Sequence, residues 1–130
     1  MGARQIAAME PSLREVYAGV AGPDDPPTAC CTLEATTPAG SAVWIQALPG
    51  NVNMAYPFAD EPLELLGRRG VRGPADVHLI EWAAGGYAAF GFGDTTARDH
   101  AFFVDQLFVK VLGCDDAGYE PTMSVEPLEA

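Results

Sequence analysis

The stretch Ala42–Phe58, AVWIQALPGNVNMAYPF, decides how this chain folds. Two runs rich in β-branched and aromatic residues flank the turn signal Pro49-Gly50-Asn51, which predicts a β-hairpin. Successive strand side chains point to opposite faces, so Val43, Ile45 and Ala47 share one face of the first arm and Trp44 and Leu48 the other. On the second arm Val52, Met54, Tyr56 and Phe58 share a side. Both faces carry apolar bulk and need cover, from the chain's own helices, a second subunit or a ligand.

Outward from this hairpin, Ala29–Thr37 alternates as a strand before it, giving three strands joined by short turns, an antiparallel meander. After it, Pro62 suits a first helical turn, Asp60 and Glu61 suit its positive end, and Leu63, Leu65 and Leu66 form an apolar side before Gly67 and Gly70. Val77–Trp82 and Tyr87–Phe92 make a second hairpin around Ala-Ala-Gly-Gly, with Val77 and Leu79 on one face, Ile80 and Trp82 on the other. Thr95 or Thr96 caps a last helix from about Ala97 to Leu112, stopped at Gly113. Ala101, Val104, Phe108, Val111 and Leu112 line its stripe, while Phe102 and Val109 form a second small apolar patch outside it, a candidate interface.

At the amino end Ile6, Met9, Leu13, Val16, Tyr17 and Val20 recur at helical spacing over Ala3–Val20. Pro11 interrupts this pattern, so the helix is expected to begin near Glu10 or Pro11 and to stop at Gly19 and Gly22, before a solvated loop bearing Asp24 and Asp25. The tail, 115–130, holds five acids, no basic residue and two prolines, and reads as an edge strand around Thr122–Val125 or as partly disordered. The element order is α-β-β-β-α-β-β-α, an α+β fold with a five-stranded antiparallel sheet. The 130 residues make a single domain, with the core over 10–114.

The formal net charge of −11 repels phosphate backbones and anionic lipid, so neither nucleic acid nor membrane is an expected partner. No apolar run approaches the roughly 20 residues of a membrane span. No basic start leads into an apolar segment and small-residue cleavage site, so the expected compartment is the cytoplasm. Cys30, Cys31 and Cys114 fit it as buried small hydrophobes rather than bridges. The basic cluster Arg68, Arg69 and Arg72 suits the carboxyl end of a helix.

No catalytic signature stands out. His78 and His100 lie in different elements without a second metal ligand at a binding spacing, so neither metal nor cofactor is expected. The thiol of Cys114 sits beside Asp115 and Asp116, which disfavour its thiolate. Gly91-Phe92-Gly93 follows a strand but lacks the third glycine of a dinucleotide loop and reads as a strand-ending turn.

The segments Trp44-Ile45-Gln46, Asn53-Met54-Ala55-Tyr56-Pro57-Phe58, Leu79-Ile80-Glu81-Trp82, Tyr87-Ala88-Ala89-Phe90, Phe103-Val104-Asp105-Gln106-Leu107-Phe108 and Leu112-Gly113-Cys114 carry a resemblance. In their order and acidity they resemble the fold of type III secretion chaperones and the YbjN-like proteins (TY-Chap domains), over residues 10–120. The resemblance implies a sheet flanked by helices, no enzymatic activity, and binding of an extended peptide or protein partner, frequently as a homodimer. Trp44, Met54, Tyr56, Trp82, Tyr87 and Phe90 are the candidate partner-contacting residues. Two alternatives stand beside this reading. One is an acidic immunity or inhibitor protein that neutralises a basic toxin or enzyme. The other is a small enzyme using Glu81, Asp94 or Asp105 beside a tyrosine or histidine.

Overall fold

The computed structural model describes residues 2–18, 20 and 26–128. Gly19, Gly22, Asp24 and Asp25, expected to end the first helix and form the loop after it, lie outside the described residues. The strands are β1 (Ala29–Thr36), β2 (Ala42–Leu48), β3 (Asn51–Ala55), β4 (His78–Ala83), β5 (Tyr87–Gly91) and β6 (Thr122–Pro127). The helices are α1 (Ala3–Tyr17), α2 (Pro62–Arg68) and α3 (Ala97–Gln106), the last continuing as a π-helical turn over Leu107–Val111. The strands form one antiparallel sheet in the order β4-β5-β3-β2-β1-β6.

The expected α+β class and antiparallel sheet stand, with three helices, but the sheet has six strands rather than five. The sixth comes from the acidic tail: Leu33 pairs with Met123 and Cys31 with Val125. The half-buried Met123 and Val125 pack against the core. Pro121 and Pro127, which cannot donate to a ladder, are tolerated because β6 is an edge strand.

The register decides which apolar residues meet. Ile45 lies opposite Met54 and Ala47 opposite Val52, so the inward sets of β2 and β3 merge on one face. Phe90 opposite Val52 and Leu33 opposite Ile45 extend that face across β5 and β1. Met9, Leu13 and Val16 of α1 and Phe103, Val104, Leu107 and Phe108 of the last helix pack on it in one core.

In two places local rules are overridden. Pro11 lies inside α1 instead of opening it. Proline removes the hydrogen bond to the carbonyl four residues back, that of Ala7, which is on the exposed side. Met9 and Leu13, both fully buried, hold the two halves of α1 to the same core. In β4, Leu79 opposes Phe90 while Glu81 opposes Ala89, which leaves Ile80 as an extra, bulged residue. The bulge turns Leu79 and Trp82 to the helix side together, opposite Phe90 and Ala88. The strict alternation expected for β4, which paired Trp82 with Ile80, is therefore corrected.

Helix ends follow their chemistry. The side chain of Glu61 accepts from the Glu64 amide at 2.9 Å and that of Thr96 from the Asp99 amide at 3.1 Å. The arginine cluster belongs to the end of α2: Arg68 pairs with Asp60, and Arg69 donates to the Lys110 carbonyl at 2.9 Å while lying over the Phe58 ring. The amide of Gln106 clamps the following loop, accepting from the Arg72 amide and donating to its carbonyl, both at 2.7 Å.

Candidate partner-binding face

Strand parity gives the sheet a second face, and none of the described helices packs on it. β1 contributes Cys30, Thr32 and Glu34; β2 contributes Trp44, Gln46 and Leu48; β3 contributes Asn51, Asn53 and Ala55. Their neighbours in sequence are fully or nearly fully buried on the helix side, whereas these are half-buried or exposed. Tyr87 and Ala89 of β5 and Glu81 of β4 complete the surface through the pairs Asn53–Ala89, Ala55–Tyr87 and Glu81–Ala89. A Cβ on Gly91 would lie 2.7 Å from His78 Nε2 and 3.2 Å from Ile80 Cδ1, so the bare glycine leaves room for both side chains to lean over β5. Ile80 is 51% exposed there.

This fold splits the six candidate contact residues into two groups. Met54, Tyr56 and Phe90 have no exposed surface and belong to the core. Tyr56 donates to the Asp60 carbonyl at 2.6 Å and meets the rings of Phe58 and Trp82 edge to face, at 5.2 and 6.0 Å. Trp82 is half-buried on the helix side. Of the six, Trp44 and Tyr87 alone stand on the uncovered face, where Leu48 lies four residues along β2 from Trp44. Of the second patch, Val109 packs against the core. Phe102 lines a groove of about 240 Å³ between α1 and α3, with Ile6, Ala7 and Arg98.

The uncovered face is polar and acidic around its aromatics. Tyr87 donates to Glu81 Oε1 at 2.5 Å, and this bond to a carboxylate raises the phenol's pKa. Asn53 donates to Gln46 Oε1 at 3.4 Å, while Asn53 Oδ1 has no hydrogen-bond partner among the described residues. Cys30 has its pKa raised by burial and by the carboxylate of Glu126, its cross-strand partner. Behind it Cys31 is fully buried, and burial lifts its thiol to about 11. Glu34, Glu81 and Glu126 carry charge on this face, and no strand contains a lysine or arginine. All seven basic residues lie in the helices, the π turn or the loop after α2.

Two of the three candidate acids, Glu81 and Asp105, stand beside a tyrosine, at separate places in the fold. Glu81 meets Tyr87 on β4 and β5, Asp94 is exposed in the loop before α3, and Asp105 is buried under α1 beside Tyr119. His78 is exposed, with Nδ1 2.9 Å from the Asp76 carbonyl. His100 is fully buried. Among the described residues no three His, Cys, Asp or Glu side chains cluster as metal ligands. Cys114 is buried and its thiol pushed up to about 11 by that burial.

Sequence reasoning missed two buried polar assemblies. Tyr17 accepts the Gly50 amide at 3.2 Å, so its own hydrogen goes to His100 Nδ1, 2.8 Å away. Burial lowers the pKa of His100 to about 4, and its Nε2 has no hydrogen-bond partner among the described residues. Tyr119 is the only aromatic residue of the tail, which was the one available signal for the second assembly. It donates to Asp105, while Gln5 donates to the Tyr119 carbonyl at 3.1 Å. Among the described residues no helix is long and apolar enough to cross a membrane. Comparison with family models, with curated proteins and with solved structures finds no match to this chain.

Proposed function

We propose that this chain is a non-enzymatic protein-binding chaperone or adaptor of the cytoplasm, similar in working principle to secretion chaperones and YbjN-like proteins. It takes a protein or extended peptide client on the sheet face that carries Trp44, Leu48 and Tyr87. The observation that supports this reading is the asymmetry of the sheet. One face is sealed by α1 and α3, while the other holds two large aromatics and a leucine without helical cover. Apolar side chains left on a sheet surface favour association, because burying them in an interface removes apolar area from water. The groove at Phe102 is the place where a second copy would pair in a homodimer.

A photo-crosslinking residue at Gln46, on the uncovered face, and another at Glu64, exposed on α2, separate this reading from the alternatives. In the native cell the Gln46 probe is expected to trap a discrete protein, and the trap is expected to disappear in a Trp44→Asp background. Equal trapping at both positions, or none at Gln46, defeats the proposal.

A further inference from the structure

We propose that the uncovered face recognises its client through an arginine side chain held between Trp44 and Glu34. The inference rests on the protein-binding reading above and names the chemistry of the partner. Glu34 and Trp44 are direct cross-strand partners, and Thr32 and Gln46 are the next pair on the same face. Side chains so paired stand about 5 Å apart at Cβ, close enough to act on one group. The four border a depression of about 270 Å³, and Glu34 is also shared with an adjoining one of about 420 Å³ that adds Glu120 and Thr122.

What this depression offers is specific. Neither the Glu34 carboxylate nor the Trp44 indole makes a hydrogen bond, ion pair or ring contact with the described residues. An indole face attracts a cation, and a guanidinium stacks on it while its edge donates to a carboxylate. The amide of Gln46 and the hydroxyl of Thr32 supply further acceptors. Charge decides against other occupants. With no lysine or arginine in any strand, the face presents carboxylates alone among its full charges, which repels acidic segments and a face-to-face second copy. Lysine meets the charge requirement but lacks the planar fork that stacks and donates together.

The test uses three nonapeptides that alternate threonine with arginine, with neutral citrulline, or with glutamate. They are titrated at low salt into full-length protein carrying Trp82→Phe, so that Trp44 is the sole tryptophan. The arginine peptide is expected to shift Trp44 emission and to bind at least fivefold more tightly than the citrulline peptide. Glu34→Gln is expected to weaken it about three- to fivefold, as removal of one exposed charge from an ion pair does, while the indole stacking is kept. Glu64→Gln, on α2, is expected to leave it unchanged. Equal binding of the arginine and citrulline peptides overturns the arginine site while leaving the protein-binding face intact. A shift of Trp44 by none of the peptides overturns the arginine site, and the crosslinking at Gln46 then decides separately whether the face binds protein. Concentration-dependent self-association that shields Trp44 from iodide puts a second copy there and overturns it as well.

Discussion

The phenolic oxygen of Tyr119 lies 2.5 Å from Oδ1 of Asp105, and both side chains are all but fully buried. Burial, and then the bond to Asp105, raise the phenol's pKa, so Tyr119 stays protonated and donating across the whole working range of pH. The amino end of α1 comes so close that a Cβ on Gly2 would overlap the Asp105 carboxylate. A partial positive charge there suits an acid. This bond joins the tail to α3, and the bond from Gln5 to the Tyr119 carbonyl adds the start of α1.

Tyr119→Phe removes the donor and leaves a buried carboxylate oxygen unsatisfied. The expected cost is about 1.5–3 kcal/mol in urea unfolding. Hydrogen exchange in β6 is expected to accelerate, because Tyr119 tethers the segment that leads into it. A change below about 0.5 kcal/mol would mean that Asp105 is satisfied without Tyr119.

His100 makes stability depend on pH. Its pKa is lowered to about 4 in the folded chain from an ordinary 6.5, so between these values the unfolded chain binds the extra proton. Stability is therefore complete above about pH 6.5 and falls as pH drops towards 4. At 1.36 kcal/mol per pKa unit the full loss is roughly 3 kcal/mol. His100→Asn keeps an acceptor for Tyr17 and does not titrate, so its thermal midpoint, tracked from pH 7 to 4, is expected to decline less than that of the native chain. Parallel declines would remove His100 as the cause.

The two faces should answer mutation differently. Phe90→Ala opens a cavity in the sealed core and is expected to cost 3–5 kcal/mol, in the range of about that size for buried phenylalanines. Trp44→Ser, on the uncovered face, is expected to cost about 1 kcal/mol or less. Denaturant midpoints measured on both variants check the contrast, and similar losses would place Trp44 in the core.

Pro11→Ala restores an amide whose acceptor, the Ala7 carbonyl, is already in place within α1. Replacing an interior helical proline is expected to raise stability by about 1–3 kcal/mol. An unchanged or lower thermal midpoint would show that α1 gains nothing from the restored bond.

Much of the fold was legible because hydrophobic period and turn chemistry agreed. The hairpin at Pro49-Gly50, the cap at Thr96 and the proline start of α2 all follow from local residues. Three features did not. The bulge at Ile80 depends on how β4 meets β5, and no residue in His78–Ala83 announces a two-against-one pairing. Pro11 gave a correct local warning that packing of Met9 and Leu13 outweighs. The tail reads from sequence either as an edge strand around Thr122–Val125 or as partly disordered; the strand formed, but its place beside β1, about ninety residues away in sequence, was not legible. The candidate face was half legible. Alternation separated Trp44 from Ile45, but only the register of Ile45 with Met54 consigns Met54, Tyr56 and Phe90 to the core and leaves Trp44 and Tyr87 outside.

The position of β6 beside β1 has a consequence for synthesis. As the chain leaves the ribosome, β1 emerges early and acquires β2 promptly, yet its other edge stays bare until residues 122–127 arrive. During that interval a nascent chain presents a row of unpaired amides and carbonyls to its neighbours, the template on which strands of different molecules misassociate. The tail's acidic residues Asp115, Asp116, Glu120 and Glu126 follow in the same stretch, and their mutual repulsion between molecules guards the edge at the moment it is completed.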